Sequence, residues 1–220
     1  MVVACSPAAS GASLELFEIS WSQAWAAVGV KTTAPGLMEG VLARYCEVHR
    51  HYHTAQHLVE CLAAFQTVRH LAFHTGEVEL ALWFHDAIYE TQRSDNEAQS
   101  AAWAREAALQ HGVAPDAILR IEALIMATLH TAVPTLPDEQ LLVDIDLSIL
   151  GANATRFAQY EAQIRAEYAF VPEAVFRSKR REILRSFAQR PRLYSTAHFF
   201  DQLEQRARGN LQGAIGISLG

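Results

Sequence analysis

No run of apolar residues in this chain approaches the length of a membrane span, although half of its 220 residues are hydrophobic. The opening residues, MVVACSPAAS, lack the basic stretch and the long apolar stretch of a secretory leader. Both absences lead to the expectation of a cytoplasmic protein that does not engage a membrane. Cysteine is scarce: Cys5, Cys46 and Cys61 are an odd number without metal-finger spacing. They read as free thiols filling the core of a protein kept in a reducing compartment. A basic stripe is also missing. The formal charge is −6 with acids and bases mixed along the chain, which argues against bulk nucleic-acid binding and leaves small anionic ligands open. Strand-like alternation, internal repeats and low-complexity segments are absent too.

What is present is helical periodicity. The pattern predicts an all-α, single-domain bundle of about nine to ten helices over residues 1–220. An N-terminal helix falls within 1–30, running from Leu14 to about Val28. The main body covers 31–208, and the glycine-rich residues 209–220 read as a flexible tail. Pro35 opens a helix through Glu47. The next runs from about Thr54 to His74 and is stopped by Gly76 as a left-handed cap. A nearly all-apolar helix from Glu77 to about Tyr89 belongs in the centre. Ser94 and Glu97 have capping-box spacing for a helix ending at Gly112. Further helices cover about 115–129, 138–151, 155–170, 173–189 and 193–208.

Histidines crowd one place. His49, His51, His53 and His57 lie within nine residues. If that stretch is helical, His49, His53 and His57 share a face; if Thr54 caps a helix, only His57 is inside it. His57 then heads the core-type run LVECLAAF, as a hydrogen-bonded core imidazole or a metal ligand. Farther on, His85 and Asp86 interrupt the apolar LALWFHDAIY, and no lysine or arginine lies between Arg69 and Arg93 to pair with the acid. A buried carboxylate without a partner is costly. In LLVDIDLSIL the helical neighbours of Asp146 are Leu142, Val143, Ile149 and Leu150, whereas those of Asp144 are mixed. Asp146 therefore reads as the buried acid and Asp144 as a supporting or surface group. Three such stations on three helices point to a shared cation.

This order, His then His-Asp then Asp on successive helices, resembles the HD-domain metal-dependent phosphohydrolases. YHTAQHL, LALWFHDAIYE, DNEAQSA, ATLHT, DIDLSILG, AEY with FRSKRREIL, and ARGNL look like successive blocks of that superfamily, from about Tyr52 to Leu211. The resemblance implies metal ligands at His57, His85, Asp86 and Asp146. Two imidazoles and two carboxylates suit Mn, Fe, Co, Ni or Zn better than Mg. The implied reaction is attack of metal-bound hydroxide on the phosphorus of a small phosphorylated substrate, a nucleotide among the candidates. Two alternatives share the scaffold: a di-iron oxygenase, using His53 and His130 as extra ligands, and a non-catalytic nucleotide-binding domain.

Other groups have possible roles with ordinary explanations beside them. Glu97 is a candidate to activate water, against its capping-box position. Glu90 is a candidate acid or base, against a solvent-facing helix end. His130, at a helix C-terminus, is a candidate for a second metal or a phosphate. His53 is a candidate supporting group four residues before His57. Arg177 and Arg181, spaced by four, would clamp phosphate if turned inward, against a solvated helix face. Apolar positions in the first and last helices offer a face for a homodimer.

Overall fold

A computed structural model describes residues 11–216. Among the described residues there are ten α-helices and no strand, as the helical periodicity predicts. None of these helices is long and apolar enough to cross a membrane. The chain divides into two compact units, one ending at Val143 and one starting at Asp144.

The first unit contains α1 (Gly11–Ala27), α2 (Leu37–Arg44), α3 (Ala55–Val68), α4 (Thr75–Phe84), α5 (Asn96–Gln110), α6 (Pro115–Ala127) and most of α7 (Pro137–Asp146). Helix α4 is its axis, packed against α1, α3, α5 and α6, with every residue from Gly76 to Phe84 buried. Trp83 meets Trp21 edge-on at 4.9 Å between ring centroids, and Phe17 lies 5.4 Å away. The helix also buries two acids, each with partners from other helices. Glu79 accepts from Ser20 Oγ at 2.7 Å and Gln66 Nε2 at 2.9 Å, and pairs with Arg69. Glu77 accepts from Arg120 through two nitrogens at 2.6 and 2.7 Å. These pairs remove the penalty of burying a carboxylate.

Local punctuation differs from expectation at three points. Gly36, with φ of 82°, starts α2 after Pro35, so the proline lies in the preceding turn. Helix α3 ends at Val68 and passes through a 3-10 turn, Arg69–Leu71. Gly76 is therefore no left-handed cap. It lies inside α4, where an added Cβ would come 2.7 Å from Ala27 Cβ and 2.8 Å from the Ala24 carbonyl oxygen. Close approach of α1 and α4 is what requires glycine there. Finally, α4 stops at Phe84, so His85 and Asp86 form the turn that ends the helix and do not interrupt it.

The second unit holds a 3-10 turn (Leu147–Gly151), α8 (Ala154–Glu167), α9 (Glu173–Ala188) and α10 (Ala197–Ile215). Helix α10 packs on the 3-10 turn and on α9. It continues well past Arg208, because Leu211 and Ile215, spaced by four, are both buried. The expected tail is thus helical to Ile215, and residues 217–220 lie outside the described residues. Asp144 is fully buried and accepts from the backbone N–H groups of Ser195 and Thr196 at 2.8 and 2.7 Å and from the Thr196 hydroxyl at 2.6 Å. It fixes the entry to α10.

Gly76→Ala should lower stability by about 1–3 kcal/mol through overpacking. Gly40→Ala, inside α2 with nothing within 4 Å of the new methyl, should raise it by about 0.5–1 kcal/mol. Urea unfolding of both variants measures the contrast; a neutral Gly76→Ala would contradict the close approach of α1 and α4.

Candidate metal centre

Thr54 accepts from the Gln56 N–H and caps α3, which begins at Ala55. The histidines before it are consequently not on one helical face. His51 is exposed, and His49 Nε2 lies 2.9 Å from the Tyr89 carbonyl. His57, in the first turn of α3, is buried and points at the turn ending α4.

Three donors meet there. His57 Nε2 lies 3.1 Å from His85 Nε2, and Asp86 Oδ2 lies 3.0 Å from His85 Nε2 and 3.5 Å from His57 Nε2. The Nδ1 of His85 is 2.8 Å from the Leu82 carbonyl, which can only accept. Nδ1 therefore carries the hydrogen, and in the neutral ring Nε2 presents a lone pair to the Asp86 carboxylate. Two acceptors at this distance need a shared hydrogen, from a protonated His85 or from the Nε2–H of His57, or a metal ion. Nitrogen and oxygen donors about 2.0–2.1 Å from one ion lie about 2.8–3.4 Å apart at octahedral to tetrahedral angles. The spacings of 3.0 and 3.1 Å fall within that range and the third, 3.5 Å, lies just beyond it.

Cys61 joins this group. It lies one turn after His57 on α3, its Sγ is 3.7 Å from both His57 ring nitrogens, and it is buried. One donor atom from each of His57, Cys61 and His85 lies within 4.8 Å of the others. This buried cluster can hold a metal ion. Cys61 forms no disulfide and is buried, as expected, and packs beside the His57 imidazole. Cys46 departs from expectation because it is disulfide-bonded. Cys5 lies outside the described residues.

Electrostatics favour charge at Asp86. Burial raises its carboxyl, but the imidazoles of His85, His53 and His57 outweigh this and hold it well below the ordinary carboxylate range. His53 stacks on Tyr89 with ring centroids 3.9 Å apart. Glu97 lies near the start of α5, whose cap residue is Asp95, so the capping box from Ser94 does not form. Burial raises the Glu97 carboxyl and the Asp86 carboxylate adds to the rise, while a backbone hydrogen bond, His130 and His53 oppose it. His130 follows α6 with φ of 55°, a left-handed conformation uncommon for a residue with a Cβ.

Glu90 is exposed, its backbone N–H and carbonyl both engaged by the Asn96 side chain. In the second unit, Arg177 and Arg181 are exposed on α9, and Arg177 pairs with Glu173. The arginine turned inward is Arg180, paired with Glu161 and lying 4.9 Å from the Tyr160 ring centroid. Asp146 is the last residue of α7 and is half-buried, the reverse of the expected contrast with Asp144. A symmetric count of helical neighbours missed the backbone N–H groups at the start of α10, which are what bury and satisfy Asp144.

Sequence reasoning also missed Arg50. Its side chain is wholly buried and its guanidinium donates to the Asp86 carbonyl at 2.6 Å, the Ala87 carbonyl at 3.1 Å and Glu47 at 3.0 Å. It clamps the backbone of the turn bearing His85 and Asp86. The cation absent between Arg69 and Arg93 thus comes from earlier in the chain and meets carbonyl oxygens. For Cys61 a signal was available, because its spacing of four from His57 puts both on one helix face. For Arg50 there was none.

Comparison with models of protein families, with curated proteins and with solved structures gives no match. The geometry and the donor chemistry therefore carry the functional reading.

Arg50→Lys should lower stability by about 1–3 kcal/mol, since an ammonium cannot fork across two buried carbonyls and leaves one unsatisfied. It should also weaken metal binding by roughly 10–100-fold, as loss of a supporting contact does elsewhere. Titration with Zn²⁺ beside urea unfolding reads both quantities. Unchanged values would remove the clamp from the account.

Proposed function

We propose that this chain is a metal-dependent phosphohydrolase acting on a small phosphorylated substrate, with nucleotides among the candidates. The observation that carries the metal is the meeting of His57, His85 and Asp86, with the His85 lone pair turned toward the carboxylate. The phosphoryl chemistry rests on the resemblance of the spaced blocks to HD-domain phosphohydrolases, which also makes Asp146 the closing ligand. A divalent transition metal held by these residues supplies Lewis acidity toward water and toward a phosphoryl oxygen.

The chain's own groups divide the remaining work. His57 and His85 supply neutral nitrogen donors, and the Leu82 carbonyl fixes the second in its required tautomer. Asp86, whose carboxyl lies well below the ordinary carboxylate range, supplies negative charge. Glu97, its carboxyl raised by burial and by Asp86, is the candidate to exchange a proton with water. His53, stacked on Tyr89, favours the ionised form of Glu97. His130 acts on the same carboxyl in the same sense.

With added Mn²⁺, Co²⁺ or Ni²⁺, the protein should release phosphate from members of a panel of nucleotides and sugar phosphates. Glu97→Gln should lower kcat by about 100-fold or more if it transfers a proton, while metal content is kept. Metal-loaded protein that leaves the whole panel intact would reject the phosphohydrolase. Two irons per chain with oxygen consumption would support the oxygenase instead.

A further inference from the structure

We propose that a cavity formed by the start of α4, the middle of α6 and the start of α7 binds a small organic ammonium with an apolar body. This does not rest on the metal reading. The cavity lies at the opposite end of α4 from His85, about 16 Å along the helix axis. It measures about 280 Å³, and its accessible wall is almost wholly apolar, with Phe73, Ala123, Leu124, Leu136 and Pro137 around it. Phe73 and Leu136 are large apolar side chains left exposed. Scattered singly such residues are ordinary, but here both border one cavity together with a few charged groups, which is the pattern of a small-molecule site.

The charged groups set the class of ligand. Arg120 and Glu77 cancel through their two-nitrogen contact. Asp138 accepts from the backbone N–H groups of Phe73 and His74 at 2.8 and 3.0 Å, and its Oδ2 lies 2.9 Å from His74 Nδ1. Its oxygens are thus occupied at the start of α4. Glu139 is different: it borders the cavity half-buried in the first turn of α7, with no hydrogen-bond or ion-pair partner among the described residues. The positive end of α7 offsets only about half a unit of its charge. A carboxylate against apolar walls without a counter-charge is costly, and a ligand carrying one positive charge removes that cost. An organic ammonium fits both halves of the cavity. Its N–H groups donate to Glu139, its hydrocarbon covers Leu124, Leu136 and Pro137, and the Phe73 ring adds attraction for the cation.

Isothermal titration calorimetry of the full-length protein at neutral pH tests this, with phenethylamine as the charged probe and phenethyl alcohol as its uncharged isostere. The amine should bind at least about 10-fold more tightly than the alcohol, the scale of a hydrogen bond between charged groups. Glu139→Gln should erase that difference. Ala123→Trp, at an exposed position of α6, should fill the cavity and abolish binding of both probes, with the helical circular dichroism of each variant unchanged. No binding of the amine, equal affinity for the two probes, or a preference that survives Glu139→Gln would overturn the proposal. Binding that survives Ala123→Trp would place it elsewhere on the protein and overturn it too. A dimer in sedimentation velocity that Ala123→Trp disperses and the amine does not would assign the cavity to a second copy of the chain instead.

Discussion

The hydrogen bond from His85 Nδ1 to the Leu82 carbonyl is the contact on which the site depends. It fixes which imidazole nitrogen keeps its lone pair, and that nitrogen lies 3.0 Å from a carboxylate oxygen. Two acceptors held that close in a buried turn repel each other unless positive charge lies between them. Everything around the turn keeps them in place. Helix α4, buried along its length by α1, α3, α5 and α6, delivers His85 at its end. Arg50 locks the following backbone through the carbonyls of Asp86 and Ala87. His57 and Cys61 close the space from α3.

The same design explains why α4 tolerates Glu77 and Glu79. Each is paired across to another helix, through Arg120 or through Arg69, Ser20 and Gln66. Asp86 differs from these acids because it is half-buried and its carboxylate faces the imidazoles of His85 and His57. A protein that supplies guanidinium groups to its other interior carboxylates, and directs its nearest one to carbonyl oxygens, leaves Asp86 available for a metal.

Much of this was legible in the sequence, and the exceptions have physical causes. Helix class and approximate number follow from periodicity, and the pairing need of Asp86 follows from its apolar flanks. Thr54 as a cap was legible from residue type, and it decides which histidines enter the site. Gly76 shows the limit: a glycine near a helix boundary looks the same whether it caps one helix or admits another. The aspartate pair shows a second limit, since Asp144 is buried by backbone donors some fifty residues later, which no local pattern contains. The arginines of α9 stand as a solvated face, with Arg180 alone drawn in by Glu161 and Tyr160.

The central claim is that positive charge at this turn is a metal ion and not a proton. Elemental analysis of untagged protein, purified without chelator and run beside Asp86→Ala, tests it most directly. The account predicts about one transition-metal ion per chain in the wild type, lost in a variant that remains helical. No metal in either protein after reconstitution would make His57, His85 and Asp86 a proton-bridged core cluster and contradict the account.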